Sequence, residues 1–480
     1  MSCGILNMMS FRQFLFESAK AEDALNAVRN ALIGSKYEQD VYLVGGAVRD
    51  MQMGLPVKDL DLVVDNHGLE GGIECATFLA KALGVYRPDS NPVIFPRFGT
   101  AKLTLKSGFD VEFVAPRKEK YDANSRKPVV SAGTLEDDAF RRDFTINSLF
   151  MRLSNSELRD LTGRGLADLK RKTIQTTSDA TYIFSEDPLR MLRAVRFAIK
   201  YDFELPLALI KAIKVNARRL QTISKERIQD ELNKILVLKK PSRAIRLFKI
   251  TGLLKEFMPE LQSLSGVTQN AYHKHDAFDH TLDVLDNAPP DLTVRLAALF
   301  HDIGKAATRT DDGGKVRFLG HANVGADIAV EVMKRLKYSN DDTEKIRKIV
   351  FHHMDMKFAG DDLATLKDKS LRKLIFRVAD KLDPLLSLMH ADNISHAEHA
   401  NMPNQIDRIR QRIKDWDIES ILNTTSVLDG NEIAALGAKG PLIGKIKGRI
   451  LDKVLETPSF SKKDATLLAQ SMIRDAAGKK

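Results

Sequence analysis

The stretch from Leu43 to Asp65, LVGGAVRDMQMGLPVKDLDLVVD, constrains the fold more than any other part of the chain. An apolar run, Val41 to Val44, stops at Gly45-Gly46; Arg49 follows one turn later, and Asp59 and Asp61 open a second apolar run. Side chains alternate faces along a strand, so Leu60, Leu62 and Val64 share a buried face while Asp59 and Asp61 emerge together on the other. Strand geometry sets two such carboxylates about 7 Å apart, a spacing that can hold a pair of Mg²⁺ ions sharing a phosphate. The glycines let the backbone approach a triphosphate closely, with N–H groups aimed at its oxygens. A plain turn and a solvated strand edge would explain each part alone. Their order, with an arginine between them, favours nucleotidyl transfer.

A further alternation, Phe109-Asp110-Val111-Glu112-Phe113-Val114, sets Asp110 and Glu112 on a polar face. One of the two could complete a metal-binding trio from a neighbouring strand, and the pattern alone does not choose between them. Short strands at 41–45, 60–65, 93–96, 100–106 and 109–115 alternate with helical stretches at 20–33 and 72–84, which predicts a small sheet covered on one side. From about residue 156 the pattern is helical, punctuated by Pro241, Pro259 and Pro289-Pro290. A length of 480 residues suits about three domains.

Seventy-four basic against 64 acidic side chains leave a net charge of +10, which suits a polyanionic partner. Cys3 and Cys75 are too few for a disulfide scaffold or a zinc site, which points to a reducing, cytoplasmic compartment. The first twenty residues lack a basic start and carry Glu17, a poor signal peptide, and no apolar run approaches the ~20 residues of a membrane span.

The motif series GGAVRD (45–50), DLDLVV (59–64), VEFVAPR (111–117), RRDFTIN (141–147), EDPLRMLRAVRFA (186–198) and SKERIQDEL (224–232) resembles the bacterial-type, class II tRNA nucleotidyltransferases and their poly(A) polymerase relatives. The resemblance covers residues from about 40 to 265. It implies an α+β protein, with a nucleotidyltransferase head (1–155), a helical neck that binds the nucleobase and tRNA (156–265), a third domain (266–400) and a helical tail (401–480). Implied too is attack of the tRNA 3′-hydroxyl on the α-phosphate of CTP or ATP. Asp59, Asp61 and Glu112 would hold Mg²⁺, and Gly45, Gly46 and Arg49 the triphosphate. Poly(A) addition, or addition of CC or A alone, is the alternative.

In RRDFTIN the spacing predicts Asp143 and Asn147 on one helical face. By resemblance Arg142, Asp143 and Asn147 read the ribose 2′-hydroxyl, whose absence would leave buried polar groups unpaired. Asp187 and Arg190 lie one turn apart and can offer an acceptor and a fork of donors to one ligand. By resemblance they read the Watson–Crick edge of the incoming base, while Asp187 before Pro188 is equally a good helix N-cap. Arg193 and Arg196 continue that stripe toward phosphate or carboxylate partners, and Ser224 suits the N-cap of a helix supporting the neck.

Ten of the eleven histidines fall between residues 273 and 399. The ordered set His280, His301-Asp302, His321, His352-His353 and Asp392, with the string LFHDIGK (299–305), resembles the HD superfamily of metal-dependent phosphohydrolases. Imidazole with carboxylate suits Mg, Mn, Ni, Co or Fe. A metal bound there would generate hydroxide to attack a phosphoester, with 2′,3′-cyclic phosphates a substrate class implied by the resemblance. His321 with His352 or His353 would serve a second ion. Asp380 is a competitor for the closing position; by resemblance Asp392 is preferred, because the superfamily's last aspartate falls in a leucine-rich helix ending Ala-Asp, as in LLSLMHAD.

Overall fold

The computed structural model describes residues 19–96, 99–120, 129–270, 272–457 and 459–477. Cys3 and the stretch read as a poor signal peptide lie outside this set. The chain forms two compact units, Met1–Ile223 with Ile250–Leu253, and Ser224–Lys249 with Leu254–Lys480.

The first unit is built on a seven-stranded mixed sheet. Its strands are β1 (Val41–Val44), β2 (Leu60–Val64), β3 (Val93–Phe95), β4 (Thr100–Thr104), β5 (Asp110–Val114), β8 (Leu149–Arg152) and β9 (Leu158–Asp160), in the order β3-β4-β5-β2-β1-β8-β9. A separate hairpin pairs β6 (Arg117–Lys120) with β7 (Val129–Ala132). β2 and β5 run parallel, with Asp61 opposite Glu112, and β1 pairs antiparallel with β2 and β8. Leu60, Leu62 and Val64 face the main core, which also takes Leu79 and Ala80 of the helix Gly71–Ala82. Val63 is buried too, on the opposite face, where Leu135 and Ala139 of the helix Leu135–Arg141 meet Val44 and Phe150. The expected single covered face is therefore incomplete. The alternation at β2 survives because Asp59 and Asp61 lie toward the strand start, ahead of this second cluster.

Sequence pattern predicts neither β8 nor β9. Leu149-Phe150-Met151 is a short run buried at its start, too short for periodicity to separate strand from helix. β9 also carries the sheet past the point at which the pattern turns helical. Beyond it the unit closes with helices that include Ala180–Glu186, Leu189–Tyr201 and Leu207–Asn216.

The second unit is almost entirely helical, and Ser224 sits at the N-cap of Lys225–Leu236 in extended backbone without a side-chain cap bond. The exception is a hairpin of β10 (Thr310–Asp312) and β11 (Lys315–Arg317), where an all-helical domain was expected. Gly313 and Gly314 both take positive φ, 58° and 87°, as a two-residue hairpin turn requires. Helices Ala277–Asn287, Leu292–Phe300, His321–Arg335, Asn340–His352 and Leu382–Asn393 surround a histidine-rich centre. Helices of the tail enclose their own small core around Ile433, Ile446, Ile450 and Ala469. Among the described residues no helix is long and apolar enough to cross a membrane.

The turn after His301-Asp302 packs backbone to backbone on the helix His321–Arg335. A Cβ at Gly304 would collide with the His321 carbonyl oxygen and lie 2.6 Å from the Gly325 nitrogen. Gly304→Ala should therefore destabilise the second unit by about 1–3 kcal/mol through overpacking. Gly444→Ala meets nothing within 4 Å and should be neutral or stabilising by up to about 1 kcal/mol. Parallel thermal melts of the two variants check both expectations.

Candidate active site and candidate metal centre

Asp61 and Glu112 occupy paired positions on adjacent parallel strands, and Asp59 stands exposed just ahead of β2. Burial raises the Asp61 carboxyl to about 6; Glu112 and Asp59 add to the rise, and Arg142 opposes it. Three acids thus crowd a partly dehydrated spot with one arginine nearby, a donor set that fits a hard divalent cation. Asp110 is engaged elsewhere. Its carboxylate lies 2.7 Å from the Lys102 ammonium and accepts 2.7 Å from the Thr104 hydroxyl, and those bonds hold it below the usual carboxylate range.

At the end of β1, Gly45 takes φ +70°, a region closed to most side chains, and its N–H donates to the Leu149 carbonyl. A Cβ there would lie 3.0 Å from Arg142 Nη1, and one on Gly46 would lie 3.4 Å from Arg49 Nη2. The glycine pair therefore borders two guanidinium groups. Both are already ordered by the fold. Arg142 donates through Nε and Nη2 to Asp138, a fully buried carboxylate that also receives Arg141. Burial opposes the Asp138 charge, but the two arginines prevail and hold the acid below its ordinary range.

Arg49 is buried, donates 2.5 Å to Asn147 Oδ1 and 2.8 Å to Asp50, and packs over the Tyr201 and Phe197 rings. Asn147 donates in turn to Asp143 Oδ1 at 2.9 Å, and Asp143 Oδ2 accepts from Arg193 at 2.8 Å. Burial works against the Asp143 charge, and Arg193 and Asn147 overcome it. Asp143 and Asn147 do meet, although not on the helical face their spacing suggested. The helix ends at Arg141, Arg142 is extended, and Asn147 closes a 3₁₀ turn over Thr145–Asn147.

Asp187 has extended backbone, its Oδ1 accepts from Leu189 N–H at 3.2 Å, and Pro188 already has helical dihedrals. The cap geometry is thus present. Arg190 is buried, donates 2.7 Å to the Arg141 carbonyl, and lies 3.5 Å from Glu186. Arg196 stacks on the Phe197 ring at 4.3 Å. Asp138 escaped notice in the sequence, although its spacing to Arg141 and Arg142 is that of two helical ion pairs.

In the second unit the structure brings together His280, His301, Asp302, His321, His353 and Asp392. His280 Nε2 lies 3.1 Å from Asp392 Oδ1; His301 Nε2 lies 3.1 Å from Asp302 Oδ2; and His321 and His353 face each other, Nε2 to Nε2, at 3.3 Å. Each of His301, His321 and His353 donates Nδ1–H to a carbonyl, of Ala298, Phe318 and Val350 respectively, so all three present Nε2 inward. Such a bond fixes the tautomer of a metal-ligating histidine. Buried His301 Nε2 and Asp302 Oδ2 make no aligned hydrogen bond, although Lys305 approaches the latter to 2.5 Å as an ion pair. Nitrogen and oxygen donors gathered this closely fit a cation.

Two expectations need correction or choice. His352 turns away and pairs with Asp355 at 2.8 Å, so His353 is the neighbour of His321. Asp380 is exposed and bonded to Lys381, whereas Asp392 is buried in the cluster. Burial opposes the charge on Asp302 and Asp392, but the surrounding imidazoles with Lys305 and Lys357 hold both acids well below the usual range. His280 and His353 are pushed down by burial, to about 4 and about 3. The structure adds residues that the motif pattern did not name: His273 and His396, which with His280 form a further metal-capable trio.

Comparison with known proteins completes the picture. Residues 41–175 match the family described as Poly A polymerase head domain, 202–264 the "Probable RNA and SrmB- binding site of polymerase A", and 277–385 the HD domain. The chain is 30% identical to a CC-adding tRNA nucleotidyltransferase of Thermus thermophilus, over 89% of this chain and 92% of that protein. It is 36% identical to a Multifunctional CCA protein of Chromobacterium violaceum, over 65% and 74%, and 32% identical to an A-adding tRNA nucleotidyltransferase of Deinococcus radiodurans, over 65% and 73%. Its fold resembles the Bacillus stearothermophilus CCA-adding enzyme in complex with CTP, with a TM-score of 0.67 and 21% identity over 96% of this chain and 99% of that one. It also resembles the Thermotoga maritima CCA-adding enzyme complexed with tRNA, with a TM-score of 0.56 and 19% identity over 95% and 96%. The chain belongs to the family of tRNA nucleotidyltransferases and poly(A) polymerases, joined on one polypeptide to an HD domain.

Proposed function

We propose that this protein adds CMP and AMP, from CTP and ATP, to the 3′ end of tRNA in the cytoplasm, and that its HD domain is a phosphohydrolase. The observation that carries the first reading is the pairing of Asp61 with Glu112 beside Asp59, facing a glycine turn flanked by Arg142 and Arg49. In the reaction the tRNA 3′-oxygen bonds to the α-phosphorus, the bond to the β-phosphate bridge breaks, and pyrophosphate leaves.

Asp59, Asp61 and Glu112 would hold Mg²⁺, which when bound supplies a lowered pKa for the attacking hydroxyl and charge neutralisation on the leaving group. The Gly45-Gly46 backbone gives the triphosphate room, and Arg142 and Arg49, held by Asp138 and Asn147, meet its charge without reorganising. Arg142, Asp143 and Asn147 select the ribose; Asp187 and Arg190 select the base, with Arg193 fixing Asp143. A net charge of +10 supports a tRNA partner. The relatives' names include CC-adding and A-adding enzymes, so the assay should use tRNA lacking its last three nucleotides, with labelled CTP and ATP supplied separately and together. Full CCA addition is expected. Growth of a long A tail would instead make this a poly(A) polymerase.

The HD reading rests on the buried convergence of His280, His301, Asp302, His321 and His353, whose ligand atoms form two metal-capable trios sharing Asp302. His280, His301, Asp302 and Asp392 would hold a divalent transition metal or Mg²⁺, and His321 with His353 a second ion. Such a metal supplies hydroxide for attack on a phosphoester.

Asp61→Ala or Asp59→Ala should remove nearly all incorporation in that assay while leaving tRNA binding within a few-fold. Glu112→Ala should be severe and Asp110→Ala mild, since Asp110 belongs to Lys102; the reverse order would reassign the third carboxylate.

The raised Asp61 carboxyl predicts a pH dependence. A cation must displace its proton, so Mn²⁺ affinity at the head should weaken by up to about tenfold per pH unit as pH falls below about 6. Stability moves the opposite way in metal-free protein. The folded chain holds this proton more tightly than the unfolded chain, so the group favours the fold increasingly as pH falls from about 6 toward 4. Asp61→Asn should accordingly stabilise metal-free protein at pH 7.5, by on the order of 1–3 kcal/mol. Titration of Mn²⁺ by electron paramagnetic resonance and melts in chelator read the two effects separately.

Asp187→Ala tests base selection against capping. Loss of an acceptor aimed at an amino group should narrow the preference for CTP and ATP over UTP and GTP, by about 5- to 150-fold in kcat/KM. Loss of a cap alone should cost about 1 kcal/mol of stability and slow all four nucleotides equally. The four kcat/KM values with a melting curve separate them.

A further inference from the structure

Beside the histidine cluster opens a cavity of about 1200 Å³, lined at its floor by Asp302, His321 and Asp392. Two lysines, Lys305 and Lys357, line it. Lys357, on a short 3₁₀ turn, has its ammonium 2.6 Å from Asp392 Oδ2 and 3.2 Å from His396 Nε2. His396 sets Nδ1 2.7 Å from the Asp392 carbonyl, a contact that requires Nδ1–H as donor. Its Nε2 is therefore a lone pair, and it accepts from Lys357. Lys305 repeats the arrangement: its ammonium lies 2.5 Å from Asp302 Oδ2, donates 2.6 Å to Gln269 Oε1, and approaches His273 Nε2 to 3.5 Å. His273 is tethered in turn through Nδ1 to Asn270 Oδ1 at 2.9 Å.

We propose that Lys357, positioned by His396, is a phosphoryl-binding group of the HD site. The proposal rests on the reading of the HD domain as a phosphohydrolase and names a group that would take its substrate's phosphate. Charge supports it. Lys305, Lys315, Arg317 and Lys357 line the cavity against three carboxylates, Asp302, Asp361 and Asp392, and a bound divalent ion would add two positive charges. Lys357, with Asp392 and His396 as its two partners and open cavity beyond, has a donor left for an anionic oxygen, whereas the three partners of Lys305 use all of its donors.

The test titrates inorganic phosphate into full-length, Mn²⁺-loaded protein by calorimetry, with metal content measured on the same samples. Lys357→Met should weaken phosphate by about 10- to 100-fold, the size of one charge-assisted hydrogen bond, while Lys357→Arg stays within a few-fold of wild type. His396→Ala should weaken it less. Combined with Lys357→Met it should add nothing, because the histidine acts through the lysine. Metal content should be unchanged in both Lys357 variants, and His275→Ala, an exposed histidine paired with Asp283, should match wild type. Unaltered phosphate affinity in Lys357→Met, additive effects in the double variant, metal lost in step with phosphate, or no phosphate binding by wild type would each overturn the proposal. Hydrolysis of bis(p-nitrophenyl) phosphate separates the underlying reading. Wild type that binds phosphate but hydrolyses nothing sinks the phosphohydrolase and leaves the Lys357 phosphate site. Wild type and Lys357→Met that hydrolyse with the same KM and bind phosphate alike keep the phosphohydrolase and sink the Lys357 assignment.

Discussion

Parallel pairing of β2 with β5 is the constraint on which the head depends. It sets Asp61 directly beside Glu112 on one face, while Leu60, Leu62, Val111 and Phe113 are buried on the other. Burial, and after it the neighbouring Glu112 charge, make Asp61 resist ionisation, which is why it sits near 6. The hydrophobic burial of the strands stabilises an arrangement that electrostatics alone would oppose. A cation bound there would relieve that repulsion, so the stress in the sheet and the proposed metal site share one origin.

Around this pair the chain orders its arginines before any ligand arrives. Asp138 holds Arg141 and Arg142, Asn147 holds Arg49, and Asp143 holds Arg193. A guanidinium carries five donors, so each can serve a protein carboxylate or amide and still face an anion. The same logic explains how Asp187 can cap a helix and remain a candidate for base recognition.

The second unit solves a related problem with imidazoles. Backbone carbonyls take the Nδ1 protons of His301, His321, His353 and His396, and the Nε2 lone pairs converge. Burial keeps most of these rings neutral, while Asp302 and Asp392 stay ionised because lysines and imidazoles surround them. Neutral nitrogen and charged oxygen donors together make a site for a borderline cation.

Periodicity and motif order in the sequence by themselves determined the α+β head, the helical remainder, the shared face of Asp59 and Asp61, and the clustering of histidines. These follow from short-range rules, alternation along a strand and one-turn spacing along a helix, which a local window contains. Tertiary structure alone decided that Asp110 rather than Glu112 takes the close ion pair with Lys102, that His353 rather than His352 meets His321, and that Asp392 rather than Asp380 reaches His280. It also inserted β8 beside β1, added the β10–β11 hairpin, and drew His273 and His396 toward the metal-capable cluster. Each of those outcomes depends on contacts between residues far apart in the chain, such as His280 with Asp392. Adjacent candidates carry the same side-chain chemistry, and only the packing of separate strands and helices selects which one turns inward.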